Sequence, residues 1–251
     1  GVNKVLKSRV DECAPFENVY TLALRGLHDR AMNASNNMDD RKKMLQEALM
    51  AQRQMLVDAI GKRAEDIPQA FTPYKEVLDV YDQGLELPDD VTIIWPDDNY
   101  GYMKRLSSPK EQKRSGRSGV YYHSSYLGKP HDHLWMNTTS PTLMYEELRK
   151  AYDMTADRIW LLNAGDIKSC EFAVDYFLTM AFDIDSFNFE RAANYRTEWL
   201  CGMLGDDYRT EYQDVINSFY KLAFARKPEF MGWGYQWTTD KHGSERNTDT
   251  D

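Results

Sequence analysis

The sequence predicts an α/β fold with parallel strands that gives way, near Asp185, to an all-helical region. Five short runs of β-branched and aromatic residues recur, at Val19–Leu24, Gln69–Tyr74, Val91–Trp95, Gly119–His123 and Arg158–Leu162. Segments of helical period separate them, the alternation expected of strand–helix–strand units. After Asp183 two long segments of helical period follow one another with no such run between them.

The elements follow in order. Val19–Leu24 opens the strand set and leads into the polar stretch Arg25–Asp29. Between Asp39 and Ile60 the residues Met44, Leu45, Leu49, Met50, Met55, Leu56 and Ile60 fall near one helical stripe. Gln69–Tyr74 is the weakest strand, because Pro73 has to sit at its end. A short amphipathic helix over Tyr74–Tyr81 follows, with Gly84 as its stop. Val91–Trp95 and Gly119–His123 are nearly continuous in apolar character, as suits strands covered on both faces. The basic run Lys104–Arg117 between them is broken by acid and reads as a solvated, mobile loop. Ser140 caps the next helix, Pro141 takes its first position, and Glu146 and Glu147 make its first half acidic. That helix runs to Met154. Arg158–Leu162 is the fifth strand and Cys170–Phe182 the helix after it. Phe189–Met203 and Tyr208–Arg226 form a helix pair interrupted at Leu204–Asp207. Residues 1–184 are thus expected to form an α/β domain and residues 185–251 the start of a helical one. The polar tail Thr238–Asp251 has little to bury and is expected to be mobile or a cut edge.

Composition narrows the function classes. The 251 residues suffice to bury a sizeable core, and a formal charge of −9 argues against a nucleic-acid or anionic-membrane surface. No apolar stretch reaches the length of a membrane span, and the first residues do not open a signal peptide. Cys13, Cys170 and Cys201 are scattered and odd in number, which excludes a disulfide framework.

Polar and ionisable residues gather just after each apolar run. In a closed barrel or an open parallel sheet those carboxyl ends converge on the active face. Asp29, Glu76, Asp97, Asp98 and Asp166 are the carboxylates there. Glycoside hydrolysis needs two, one to protonate the leaving oxygen and one to activate water or attack directly. Asp29 and Glu76, on different strands, make a reasonable pair, whereas Asp166 reads better as a helix cap. His28, His123, His131 and His133 offer a rival metal-dependent chemistry, but His131 and His133 sit in a loop and their spacing is of low specificity. Gly116–Gly119 precedes a strand rather than a helix, so it is not a phosphate-binding turn.

Several blocks together carry a resemblance: Leu24–Asp29, Trp95–Tyr102, Gly119–Tyr126, Pro130–Trp135, Thr139–Pro141 and Asp157–Lys168. In this order the chain resembles glycoside hydrolase family 115, the large xylan α-1,2-glucuronidases. The resemblance implies the C-terminal portion of a (β/α)8 (TIM) barrel followed by a helical bundle. It also implies an inverting hydrolase, with no metal or other cofactor, that removes glucuronic acid or 4-O-methylglucuronic acid from xylan. Carried over by motif, Asp29 and Glu76 are the catalytic carboxylates, with acid and base unassigned, and Arg25 suits the uronate carboxylate. Tyr74, Asn99, Tyr121, His123, Tyr126 and Asn163 are the substrate-binding residues. A homodimer and a secreted or periplasmic location are further implications. Five strands where a closed barrel has eight mark the chain as a piece of a longer protein, whose activity in isolation is in question. The residues also admit a non-catalytic carbohydrate-binding remnant.

Overall fold

The computed structural model describes residues 2–26, 31–32, 37–125 and 133–230. Its elements alternate as the sequence predicts. A helix that the sequence analysis did not predict, α1 (Val2–Cys13), comes first. Then follow β1 (Tyr20–Thr21), α2 (Met38–Ile60), β2 (Gln69–Phe71), α3 (Glu76–Asp82), β3 (Thr92–Pro96) and β4 (Ser118–His123). The chain continues through α4 (Pro141–Asp153), β5 (Trp160–Asn163), α5 (Glu171–Phe182), α6 (Phe189–Leu204) and α7 (Arg209–Ala225). The strands form one sheet in the order β1-β2-β3-β4-β5. This is a mixed α/β architecture whose parallel strands are those of a partial TIM-type fold. The expected tail Thr238–Asp251 lies outside the described residues.

Compact packing divides the chain into two units. One takes the described residues of Gly1–Pro96, Arg105–Val120 and Tyr152–Trp160; the other takes those of Asp97–Lys104, Tyr121–Ala151 and Leu161–Asp251.

In the first unit, β1 pairs with β2 and β2 with β3, all parallel, with Tyr20 opposite Gln69 and Ala70 opposite Thr92. The strand β1 is shorter than its apolar run because it lies at the sheet edge, where Val19 and Thr21 are exposed. Behind the sheet, α2 begins at Asn37, whose side chain accepts from the Asp39 N–H, and ends at Gly61 in the left-handed conformation. Its inward stripe narrows to Leu45, Leu49 and Leu56, all buried, while Met44 of the predicted stripe is exposed. At Gly119 a Cβ would lie 2.0 Å from the Ile159 carbonyl oxygen, so the close approach of the two chain segments requires glycine there.

The basic run in this unit differs from the expected solvated loop. Arg105 stacks 4.3 Å from the Trp95 ring centroid and donates to Glu111 at 2.9 Å. Arg114 donates to the carbonyls of Leu87, Pro88 and Val91. Guanidinium planes can lie on aromatic faces and bind several acceptors at once, so these arginines fasten the loop instead of floating it. Burial pushes the Glu111 carboxyl up, but donation from Arg105, the Ser108 N–H and hydroxyl, and Tyr81 outweighs it and brings it down to about 2. A carboxyl depressed on folding stabilises above its ordinary range and loses that contribution as pH falls toward the depressed value. Glu111→Gln is therefore expected to cost on the order of 2 kcal/mol at neutral pH, and almost nothing near pH 2. Denaturant titrations of both proteins across that range check this; a pH-independent difference would refute it.

In the second unit, Ser140 caps α4 as expected, its hydroxyl accepting from the Leu143 N–H at 3.2 Å. Tyr176 of α5 donates to the Pro141 carbonyl at 2.8 Å, and Phe172, Tyr176, Phe187 and Tyr195 form an aromatic core. Between α6 and α7 there is no strand; Ala192, Cys201, Ile216 and Ala223 are their buried faces. Phe189, Leu222 and Phe224 remain exposed.

Candidate active site

Of the expected site residues, Arg25, Tyr74 and Glu76 belong to the first unit. Glu76 is the first residue of α3, where the exposed N–H groups of the helix start favour an acid. It follows Lys75, whose positive φ of 52° turns the chain sharply out of the strand end. Arg25 grips it with two parallel hydrogen bonds: Nε to Oε1 at 3.1 Å and Nη2 to Oε2 at 2.9 Å. Both side chains are about one-fifth exposed, at 19% each. The same guanidinium lies 5.4 Å from the centroid of the Tyr74 ring, and the Lys75 ammonium 5.1 Å from it. The cluster fixes a carboxylate in a defined orientation at the end of β2. It also gives Arg25 a partner within the protein.

Asn99, Tyr121, His123 and Asn163 belong to the second unit. Here the organising group is Asp97, 2% exposed. Its Oδ1 accepts from the Asn99 N–H at 3.0 Å; its Oδ2 accepts from the N–H groups of His123 at 2.9 Å and Gly101 at 3.3 Å. The His123 ring, 1% exposed, brings Nδ1 to 2.6 Å from Oδ1. An aspartate already accepting on both oxygens requires that nitrogen to donate, which orients the imidazole. The neighbouring Asp98 folds the same loop, accepting from the N–H groups of Tyr100 and Tyr102. Asn99 takes a φ of 75°, a left-handed conformation that asparagine tolerates.

Tyr121 and His123 are alternate residues of β4, their ring centroids 4.6 Å apart. Asn163, at the end of β5, donates to the Tyr121 hydroxyl at 2.9 Å, while its backbone carbonyl accepts from the Ser124 N–H at 3.0 Å. Between them Tyr122 points to the other side, fully buried, and donates to the Gly101 carbonyl. Burial pushes its phenol well above the usual range, so it is a neutral strut. Gly101 has no room for a side chain, since a Cβ would sit 2.7 Å from that hydroxyl. Glu147 of α4 accepts from the Met103 N–H at 2.8 Å and from Lys150 at 2.6 Å, closing the base of the loop.

Asp29 and Tyr126 lie outside the described residues, as do His28 and His131. Asp166 precedes the short 3-10 helix Ile167–Ser169 with no side-chain capping bond. Two groups beside His123 were not singled out from sequence. Lys227 and Glu229, just beyond α7, line a small recess with Asn99 and His123. The sequence signal for them is weak, because an isolated Lys and Glu after a helix carry no motif.

Comparison with known proteins agrees with this architecture. The profile of glycosyl hydrolase family 115 matches residues 1–230. No curated protein matches the chain. Eleven chains of solved structures do. One is described as a family GH115 4-O-methyl-alpha-glucuronidase with specificity for decorated arabinogalactans. It is 42% identical with a TM-score of 0.87 over 92% of this chain, and the match covers 30% of that protein's own chain. With the family model matching residues 1–230, most of its length, this chain belongs to glycosyl hydrolase family 115.

Proposed function

We propose that the protein carrying this chain is a glycoside hydrolase that removes α-1,2-linked glucuronic acid or 4-O-methylglucuronic acid from xylan side chains, with inversion. The observation that carries the reading is the Glu76 carboxylate, held on both oxygens by Arg25 at the start of α3. A carboxylate so restrained is a fixed acceptor, suited to orienting and deprotonating a water. Asp29 then serves as the acid that protonates the leaving xylose oxygen. An inverting pair needs room for that water, so the two carboxyl groups are expected about 6.5–9.5 Å apart. Tyr74, Asn99, Tyr121, His123, Tyr126 and Asn163 bind the sugar, with His123 oriented by Asp97 and Tyr121 by Asn163.

In this reading residues 1–184 are the later part of a (β/α)8 barrel and residues 185–251 begin a helical bundle. The strandless succession of α6 and α7 supports that division, as do the exposed Leu222 and Phe224, which leave apolar surface for further helices. A homodimer and a secreted or periplasmic location go with the same family reading. The substrate backbone has a specific alternative, since the similar solved protein is described as acting on decorated arabinogalactans.

The test is to incubate the intact protein with glucuronoxylan and, separately, with a glucuronate-decorated arabinogalactan, and to identify the released sugar and its anomer. Release from xylan of the β-anomer of glucuronic acid or its methyl ether is the expected result. Release only from arabinogalactan would replace the xylan assignment. No uronic acid from either would leave carbohydrate binding without turnover as the reading to pursue.

A further inference from the structure

The chain returns to the sugar site after α7. Its 3-10 turn Pro228–Phe230 packs on the 3-10 turn Leu134–Met136, and Glu229 Oε1 accepts from the buried Thr138 hydroxyl. Lys227 and Glu229 line one recess with Asn99, His123 and Thr139. The recess keeps only about 10 Å³, room for no more than one water, so the returning segment lies packed against these residues. Two carboxylates face Lys227: Glu229 of its own segment and Asp98 of the loop Asp97–Tyr102. Asp98 is itself fixed in that loop by the N–H groups of Tyr100 and Tyr102. Burial pushes the Lys227 ammonium down from its usual range, and the two carboxylates oppose that shift. A buried cation between two carboxylates adds little net stability, because desolvation offsets the attraction. What it does supply is register, since only one placement of the two segments leaves all three charges compensated.

We propose that Lys227 and Glu229 are positioning residues, a strap that ties the end of the helical pair to the loop Asp97–Tyr102 and so sets the placement of Asn99 and His123 for sugar binding. This rests on the glucuronidase reading above and deepens it. Neither strap residue touches the sugar. Thr138 holds Glu229, and Lys227 draws Asp98 and the loop toward the returning segment. Asn99 moves with that loop directly. His123 follows it through Asp97, which accepts from both its N–H and its ring. The helical region is then part of the working site and not only a neighbour of the strands.

The test uses the intact protein, a glucuronate-bearing xylo-oligosaccharide, and the variants Lys227→Met, Lys227→Arg and Thr138→Val, the last removing the hydroxyl that holds Glu229. Ile216→Ala, which opens a cavity in the buried face of α7, controls for lost stability alone. Well below every melting temperature, Lys227→Met is expected to raise KM about tenfold and Thr138→Val about threefold, with kcat changing less. Lys227→Arg should recover most of the loss, and Ile216→Ala should keep the wild-type KM. Hydrogen exchange read by mass spectrometry should speed up over residues 97–102 in Lys227→Met and Thr138→Val, and stay at wild-type rates there in Ile216→Ala. An unchanged KM in Lys227→Met, or in Thr138→Val where the former does not fold, overturns the proposal. An equal rise of KM in Ile216→Ala overturns it as well, because lost stability would then explain the effect. Wild-type protein that cleaves no glucuronate-bearing substrate overturns the glucuronidase reading and with it the role in sugar binding, while the exchange rates still decide whether the strap holds the loop.

Discussion

Replacing Glu76 by glutamine is expected to lower kcat of the intact enzyme by about 10²–10⁴-fold, the contribution of a positioned acid or base. The substitution keeps the shape of the side chain. Its amide oxygen can still accept one Arg25 N–H, while the amide nitrogen now faces the other donor. The stability cost should therefore be only about 1–2 kcal/mol, since the pair is partly open to solvent. A near-native melting curve with collapsed turnover is the expected combination, read by calorimetry and by uronic acid release. The Michaelis constant should change little, because Glu76 acts on water and not on the bound sugar in this assignment. Turnover within a few-fold of wild type would remove Glu76 from the chemistry and shift attention to other carboxylates in the intact protein.

The parts of this fold legible in the sequence are those where burial itself writes the pattern. The runs in β3 and β4 are nearly continuous because residues such as Ile93, Trp95, Val120 and Tyr122 are covered completely. Helix α4 announces itself through Ser140 and Pro141, whose capping chemistry is local. By contrast α1 leaves little pattern in the sequence, because it carries few large apolar residues and much of it is exposed. The packing of the loop around Arg105 and Arg114 is hidden in the sequence for a related reason. Charge normally marks a solvated segment, but here it is paired with Glu111 and with backbone carbonyls that only the folded chain brings near.

The site divides along the same line. Arg25 and Glu76 stand out as strand-end residues, yet their mutual bonding spans 51 positions and no periodicity encodes it. Asp97 and His123 likewise meet only because the loop after β3 and the end of β4 are neighbours in the second unit. Lys227 is the extreme case. It follows a helix in a region that the sequence marks as separate from the strands, and only the bond between Thr138 and Glu229 reveals where that segment returns.

Asp97→Asn is the second substitution with a large expected effect, and it acts through another residue. Asp97 accepts from three backbone N–H groups and the His123 ring. An amide offers one acceptor oxygen, and its NH2 would confront donors on the other side. Whichever way it turns, at least one buried donor loses its acceptor, so the variant should be destabilised by about 2–4 kcal/mol. If the amide oxygen takes the Oδ2 position, it keeps the N–H groups of His123 and Gly101, the Asn99 N–H loses its acceptor, and the His123 ring loses its orienting contact and is free to change tautomer. If the oxygen takes the Oδ1 position, the His123 ring and the Asn99 N–H keep their acceptor, and the backbone N–H groups of His123 and Gly101 lose theirs. Both routes disturb residues assigned to sugar binding, so kcat/KM should fall about 10²-fold even well below the melting temperature. Nitrogen NMR of the histidine ring separates the routes, because a proton fixed on Nδ1 in wild type would become exchangeable only in the first. A variant with unchanged stability and unchanged kcat/KM would mean that the Asp97–His123 contact is dispensable for binding, and His123 would lose its place in the substrate-binding set.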